Sequence, residues 1–186
     1  MRYIYFILTI LFLCNCNTSI CYSPTQKGTL SNEIMKKVAN QVNNETGLIP
    51  CGTGGQAMDE IKMLALAFDC HEQLNIDSAR KLLITVLEKF KSEINSDSRI
   101  RQYLTNYPFE PKNIEIRIFI KNKNRSNLGK NKLCIISAIN GILEYEIYTP
   151  DGFNLETIHE ESYEEAIQKL NEGNMHEPNR QLQETI

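Results

Sequence analysis

The residues most suited to chemistry cluster around Cys51, in the run Pro50-Cys51-Gly52-Thr53-Gly54-Gly55-Gln56, which leads directly into an apolar stretch from Ala57 to Asp69. As a glycine-rich turn opening a helix, this run would offer free N–H groups to an anion and let backbone approach it closely. A thiolate there would also be stabilised. The pattern therefore nominates Gly52, Thr53, Gly54 and Gly55 as contacts for a small anionic ligand, and Cys51 as a nucleophile. The same residues have a structural use. Thr53 and Gln56 stand at capping-box spacing, and Asp59 and Glu60 suit the positive end of a helix. The Gly-Lys-Ser/Thr of a phosphate loop is absent, and Glu45 to Pro50 is too short for the strand that precedes a dinucleotide-binding turn.

A nucleophilic cysteine needs a base. Of His71, His159 and His176, only His159 lies outside the polar tail and away from the far end of the predicted helix, so it is the candidate partner of Cys51. The three histidines show no metal-site spacing, and Cys70-His71 has no second pair to complete one. No cofactor is implied.

Lys121, Lys123, Arg125, Lys130 and Lys132 crowd one inter-strand loop, and Glu160, Glu161, Glu164 and Glu165 crowd another segment. The basic loop suits anionic lipid head groups, or is simply a solvated hairpin end; the glutamates fit an ordinary helix N-terminus. A formal charge of -3 and the lack of aromatic residues among the lysines argue against nucleic acid. Asn44-Glu45-Thr46 and Asn124-Arg125-Ser126 match the glycosylation acceptor pattern, which has meaning only in a eukaryotic secretory pathway.

The first 23 residues carry an address. Arg2, an almost wholly apolar run from Tyr3 to Leu13 and a polar exit form an export signal too short to span a bilayer. Two cleavage sites compete. Leu13-Cys14-Asn15-Cys16 is a loose lipoprotein signal that would put lipid on Cys16, and Cys21 and Ser23 are the small residues of an ordinary site. Ordinary cleavage leaves Cys51, Cys70 and Cys134, an odd number in an oxidising compartment. A helix between Cys51 and Cys70 would hold them about 20 Å apart, too far for a disulfide, whereas Cys134 on a strand could reach either. Cys70 and Cys134 also suit burial as small apolar groups.

The elements that would position these residues follow from periodicity. After a linker at 24–29, Ile34, Val38 and Val42 recur on one helical face and Gly47 stops the helix. The second helix would run from the glycine turn to about Asp69, with Ala57, Ile61, Leu64, Ala65 and Phe68 in one stripe. A third, capped by Asp77, carries Ala79, Leu83, Val86, Leu87, Phe90 and Ile94 inward and Arg80, Lys81, Glu88, Lys89 and Lys91 outward.

The period then changes to two. Ile114, Ile116, Ile118 and Ile120 alternate with Glu115, Arg117, Phe119 and Lys121, and Asn140-Gly141 joins 133–139 to 142–148 as a hairpin. A short strand over 153–158 follows, and Ser162 to Glu165 is a capping box opening a last helix. The expected fold is α+β: N-terminal helices on one face of a three- to four-stranded antiparallel meander with a closing C-terminal helix, one domain over 30–172 and a polar tail at 173–186.

Through Pro50 to Gly55, Glu60-Ile61-Lys62-Met63, Asn106-Tyr107-Pro108-Phe109 and Asn113 to Ile118, the chain resembles a small group of uncharacterised exported proteins of intracellular bacteria, over about residues 45 to 170. The resemblance implies an envelope or secreted location and no particular activity. The expected function is thus a non-enzymatic exported protein that binds a protein or other partner, with a thiol enzyme or anion binder at Cys51 to Gly55 as the alternative.

Overall fold

The computed structural model describes residues 25–124, 128–129, 131–152 and 154–176. Cys16 and the rest of the expected export signal lie outside the described residues, as do Arg125, Lys130 and residues 177–186. Among the described residues the chain is α+β, with three α-helices and a six-stranded mixed sheet. In order these are α1 (Gln26–Thr46), β1 (Ile49–Gln56), β2 (Met63–Cys70), α2 (Ile76–Ser96), β3 (Ile114–Ile120), β4 (Leu133–Ile139), β5 (Ile142–Tyr148), β6 (Leu155–Ser162) and α3 (Tyr163–His176). The spatial order of the strands is their order in the chain, antiparallel throughout except for β2 and β3, which are parallel.

The main departure from expectation is the second helix. Residues 49–70 form a β-hairpin, in which Leu64, Leu66, Phe68 and Cys70 are buried at a period of two while Ala65 and Ala67 are half-buried on the other face. Alanine fits either period, so Leu64, Ala65 and Phe68 also satisfy a helical stripe. Packing against the helices settles the choice. Because β2 precedes a crossover helix, it pairs with β3 in parallel, and the meander gains two strands and one parallel pair.

Local signals elsewhere took their expected form. Gly47 ends α1 with φ of 75° and its N–H on the Asn43 carbonyl. Asn140 and Gly141 both have positive φ, 52° and 78°, as a two-residue hairpin between right-twisted strands requires. Ser162 and Glu165 exchange capping-box hydrogen bonds at 2.8 and 3.2 Å. Four boundaries shift: α1 begins at Gln26, inside the expected linker, α2 is capped by Asn75 and not Asp77, β6 runs on to Ser162 where the strand was expected to end at 158, and α3 continues to His176.

The core lies between the three helices and one face of the sheet. Ile34, Val38 and Val42 of α1 and Leu83, Leu87 and Phe90 of α2 meet Leu66, Phe68, Ile116, Ile118, Ile136 and Tyr145 in one cluster. At about 1.5 to 3 kcal/mol for each fully buried large apolar side chain, this face supplies most of the driving force for folding. The opposite face has no helix on it among the described residues, and it carries Glu115, Arg117, Phe119, Glu144 and Glu146.

Candidate functional site

Cys51 sits at a β-bulge in the outermost strand: the register passes from Pro50 opposite Phe68 to Gly52 opposite Ala67. A strand offers neither the free N–H groups nor the dipole of a helix start, so the expected stabilisation of a thiolate has no structural source. Its exposed side chain lies beside Asp69 instead. Partial desolvation and the Asp69 carboxylate, which also accepts a hydrogen bond from the thiol, push its pKa up, and Lys121 only partly offsets them. Lys121 is itself held by Asp69, Nζ to Oδ1 at 2.7 Å.

Gly52, Thr53, Gly54 and Gly55 are likewise edge-strand residues, all exposed, with no helix following them. Gly52 and Gly54 lie over Ala67 and Ala65 on the open face, where a Cβ would stand 3.3 and 3.6 Å from the alanine methyls. Beside them Arg117 is bound to Glu115 at 2.7 Å, which removes the nearest cation from service to an anionic ligand. Gly55 is constrained differently. A Cβ there would come within 2.9 Å of the Met63 carbonyl oxygen.

His159 is on β6, at the other edge of the sheet. Five strand spacings of about 4.8 Å separate the two edges, roughly 24 Å, so the structure does not bring Cys51 and His159 together. The histidine ring packs on Tyr145 at 5.3 Å between centroids, with Nε2 3.5 Å from Oε2 of Glu161.

The cysteines separate in the same way. Cys51 is exposed, Cys70 and Cys134 are buried, and all three are free thiols. Cys70 shares the helix-covered face with Phe68, so the sheet itself, and not a helix, parts it from Cys51. Cys134, expected within reach of either, is three strand spacings from β1 and two from β2, roughly 14 and 10 Å. Both exceed the ~7 Å that a disulfide spans. Its thiol donates to the Glu146 carbonyl at 3.4 Å.

The polar centre of the fold was not legible in the sequence. Arg80, expected on the outer face of its helix, is 6% exposed, and Glu161, expected at a helix start, is 3% exposed on β6. Arg80 Nε donates to Glu161 Oε1 at 2.6 Å, Tyr145 donates to the same oxygen at 2.6 Å, and Lys169 donates to Oε2 at 2.7 Å. Asp77 completes the set at 2.5 Å from Arg80 Nη1. Burial alone would raise the Glu161 pKa, but these hydrogen bonds outweigh it and hold it at about 2. Burial and the bond to Glu161 push Tyr145 upward. Every oxygen of the carboxylate is occupied from within the chain, which makes this a clamp of β6 to α2 and α3.

Of the basic loop, the three described lysines take separate places. Lys121 is in its ion pair with Asp69, Lys123 lines a cleft beside α2, and Lys132 is exposed at a shallow hollow by Ile158. No group of three metal-ligating side chains occurs among the described residues, and none of their helices is long and apolar enough to cross a membrane. No family model, no curated protein and no solved structure matches the chain.

Proposed function

We propose that this chain is an exported, non-enzymatic binding module that takes an extended segment of a protein partner along the outer edge of β1. One observation carries the reading: all eight residues of this edge strand are exposed, and Gly52, Gly54 and Gly55 leave its backbone bare. An unpaired strand edge is a template for another strand, with main-chain hydrogen bonds giving affinity. From Gly52 to Gln56 the edge carries no charge, proline or bulge of the kind that discourages pairing. Export rests on the amino-terminal pattern of residues 1–23.

The alternative, a thiol enzyme or anion binder at Cys51 to Gly55, has less in its favour. The thiol is shifted away from reactivity, and its candidate base is on the opposite edge.

Thr53→Lys tests the proposal, because a charged side chain protects an edge while leaving the ladder to β2 intact. A partner captured from envelope material should bind the wild-type chain, slow hydrogen exchange at 52–56, and be lost by the folded variant. Retention by Thr53→Lys, or protection confined to the helices, would sink it.

A further inference from the structure

The chain leaves the sheet at the carboxyl end of β2 and enters the crossover to the parallel strand β3. Crevices outside the carboxyl ends of such strands are where open α/β sheets hold ligands, because the connections diverge there. Here a cleft of ≈ 540 Å³ opens between the end of α1 and the first turns of α2, within the usual size of small-molecule sites. Leu48 and Cys70 are its buried apolar lining, and the half-buried Leu74 and Leu82 continue the core outward into it.

The polar lining is unbalanced. Lys81 and Lys123 both face the cleft, and among the described residues neither has a carboxylate within ion-pair distance. Farther along the same helix the lysines are paired, Lys89 with Glu45 and Lys91 with Glu88. Glu72 is the one carboxylate among the described lining residues, so two positive charges against one leave a net charge of +1 even with His71 neutral. His71 is anchored: its Nδ1 donates to the Lys121 carbonyl at 3.2 Å. A lining of +1 is neutralised by a monoanion, whereas a phosphate monoester brings about -1.5 to -2.

We infer that this cleft binds a single-chain amphiphile with one carboxylate, its hydrocarbon against Leu48, Leu74 and Leu82 and its head group between Lys81 and Lys123. The site lies on the helix-covered side, away from the outer edge of β1, so it stands or falls independently of strand pairing there.

Decanoate is the probe. Isothermal titration into the full chain should give saturable binding at one site, and decanol, of equal chain length without the charge, should bind about tenfold more weakly, the worth of a hydrogen bond to a charged group. The double variant Lys81→Gln, Lys123→Gln should melt like the wild type and lose that preference. Leu82→Trp fills the cleft from a half-exposed position and should abolish binding; as the only tryptophan in the chain, it also reports by fluorescence that the variant is folded. Absence of saturable decanoate binding, decanol binding as tightly as decanoate, or wild-type affinity in either folded variant would overturn the inference. Decyl phosphate binding more tightly than decanoate would overturn the assigned head group.

Discussion

The two edges of the sheet are built by different means. The β6 edge carries Glu156 and Glu160, has a bulge opposite the Tyr145–Glu146 step, and is fastened through Glu161 to Arg80 on α2 and Lys169 on α3. The β1 edge carries no charged residue from Ile49 to Gln56, keeps its single bulge near its start, and is held by backbone pairing to β2 with little side-chain packing of its own. Charge and a bulge are devices that protect an edge against foreign strands, and from Gly52 to Gln56 the β1 edge has neither. The difference also has an energetic side: β6 depends on ionisation, and β1 depends on how closely two backbones approach.

The largest expected effect breaks the fastened edge. Glu161→Ala should cost about 3 to 5 kcal/mol in chemical denaturation, because it strands the buried Arg80 without its main partner. Replacing both as Arg80→Met with Glu161→Leu should recover much of that loss, since a well-packed apolar pair is often no worse than a buried ion pair. A cost below about 1 kcal/mol for Glu161→Ala, the range of exposed ion pairs, would remove the distinction between the edges.

The next effect falls on β1. Gly55→Val should cost about 1 to 3 kcal/mol through overpacking, since its Cβ would meet the Met63 carbonyl oxygen at 2.9 Å and Leu64 Cδ2 at 3.2 Å. Gly54→Ala should be close to neutral, because its Cβ would rest 3.6 Å from the Ala65 methyl, an ordinary contact. Equal losses in thermal melts of the two variants would show that the close backbone approach is not what constrains this edge.

Acid should reach the two edges unequally. The folded-state pKa of Glu161 is about 2, below its ordinary value of 4.5. The unfolded chain therefore binds the proton first, so this contribution is complete above about pH 5 and is lost as pH falls from there towards 2. Stability of Glu161→Gln, followed by denaturant titration at successive pH values, should fall less steeply than wild type over that window. A parallel decline would assign the acid sensitivity to other carboxylates.

The smallest effect concerns the thiol. Cys51 should be alkylated by iodoacetamide more slowly at pH 8 than an ordinary exposed cysteine, and Asp69→Asn should speed the reaction a few-fold by removing the charge that disfavours the thiolate. In protein prepared from Pro24 onward, which lacks Cys14, Cys16 and Cys21, the other two thiols, Cys70 and Cys134, are buried and leave the readout to Cys51. His159→Ala should leave the rate unchanged; a slower reaction would connect the two edges and revive the dyad.

Much of the fold was legible wherever the deciding interactions are local. Strands β3, β4 and β5 alternate strictly enough, or are bounded sharply enough by Asn140-Gly141, that their limits agree with the expectation. The candidate site was less legible. Cys51 and its glycines stand out by residue type, yet placing them at a helix start depended on reading Met63 to Cys70 as helical, and Ala65 and Ala67 leave that choice to packing. The cleft beside α2 had no sequence signal, since its lining comes from α1, the β2–α2 connection, α2 and the loop after β3.

Local stereochemistry and periodicity are therefore what the amino-acid sequence determined by itself: where Gly47 ends a helix, where Asn140-Gly141 reverses the chain, and which face of each isoleucine-rich strand is apolar. These depend on backbone angles and side-chain spacing within a few residues. Tertiary structure alone decided that β2 lies parallel to β3 and that Glu161 is buried against Arg80, 81 residues away. Parallel pairing has no turn to announce it, because a whole crossover helix intervenes. A glutamate in a polar segment carries no local sign of burial, because its desolvation is offset only by donors that folding brings from distant parts of the chain.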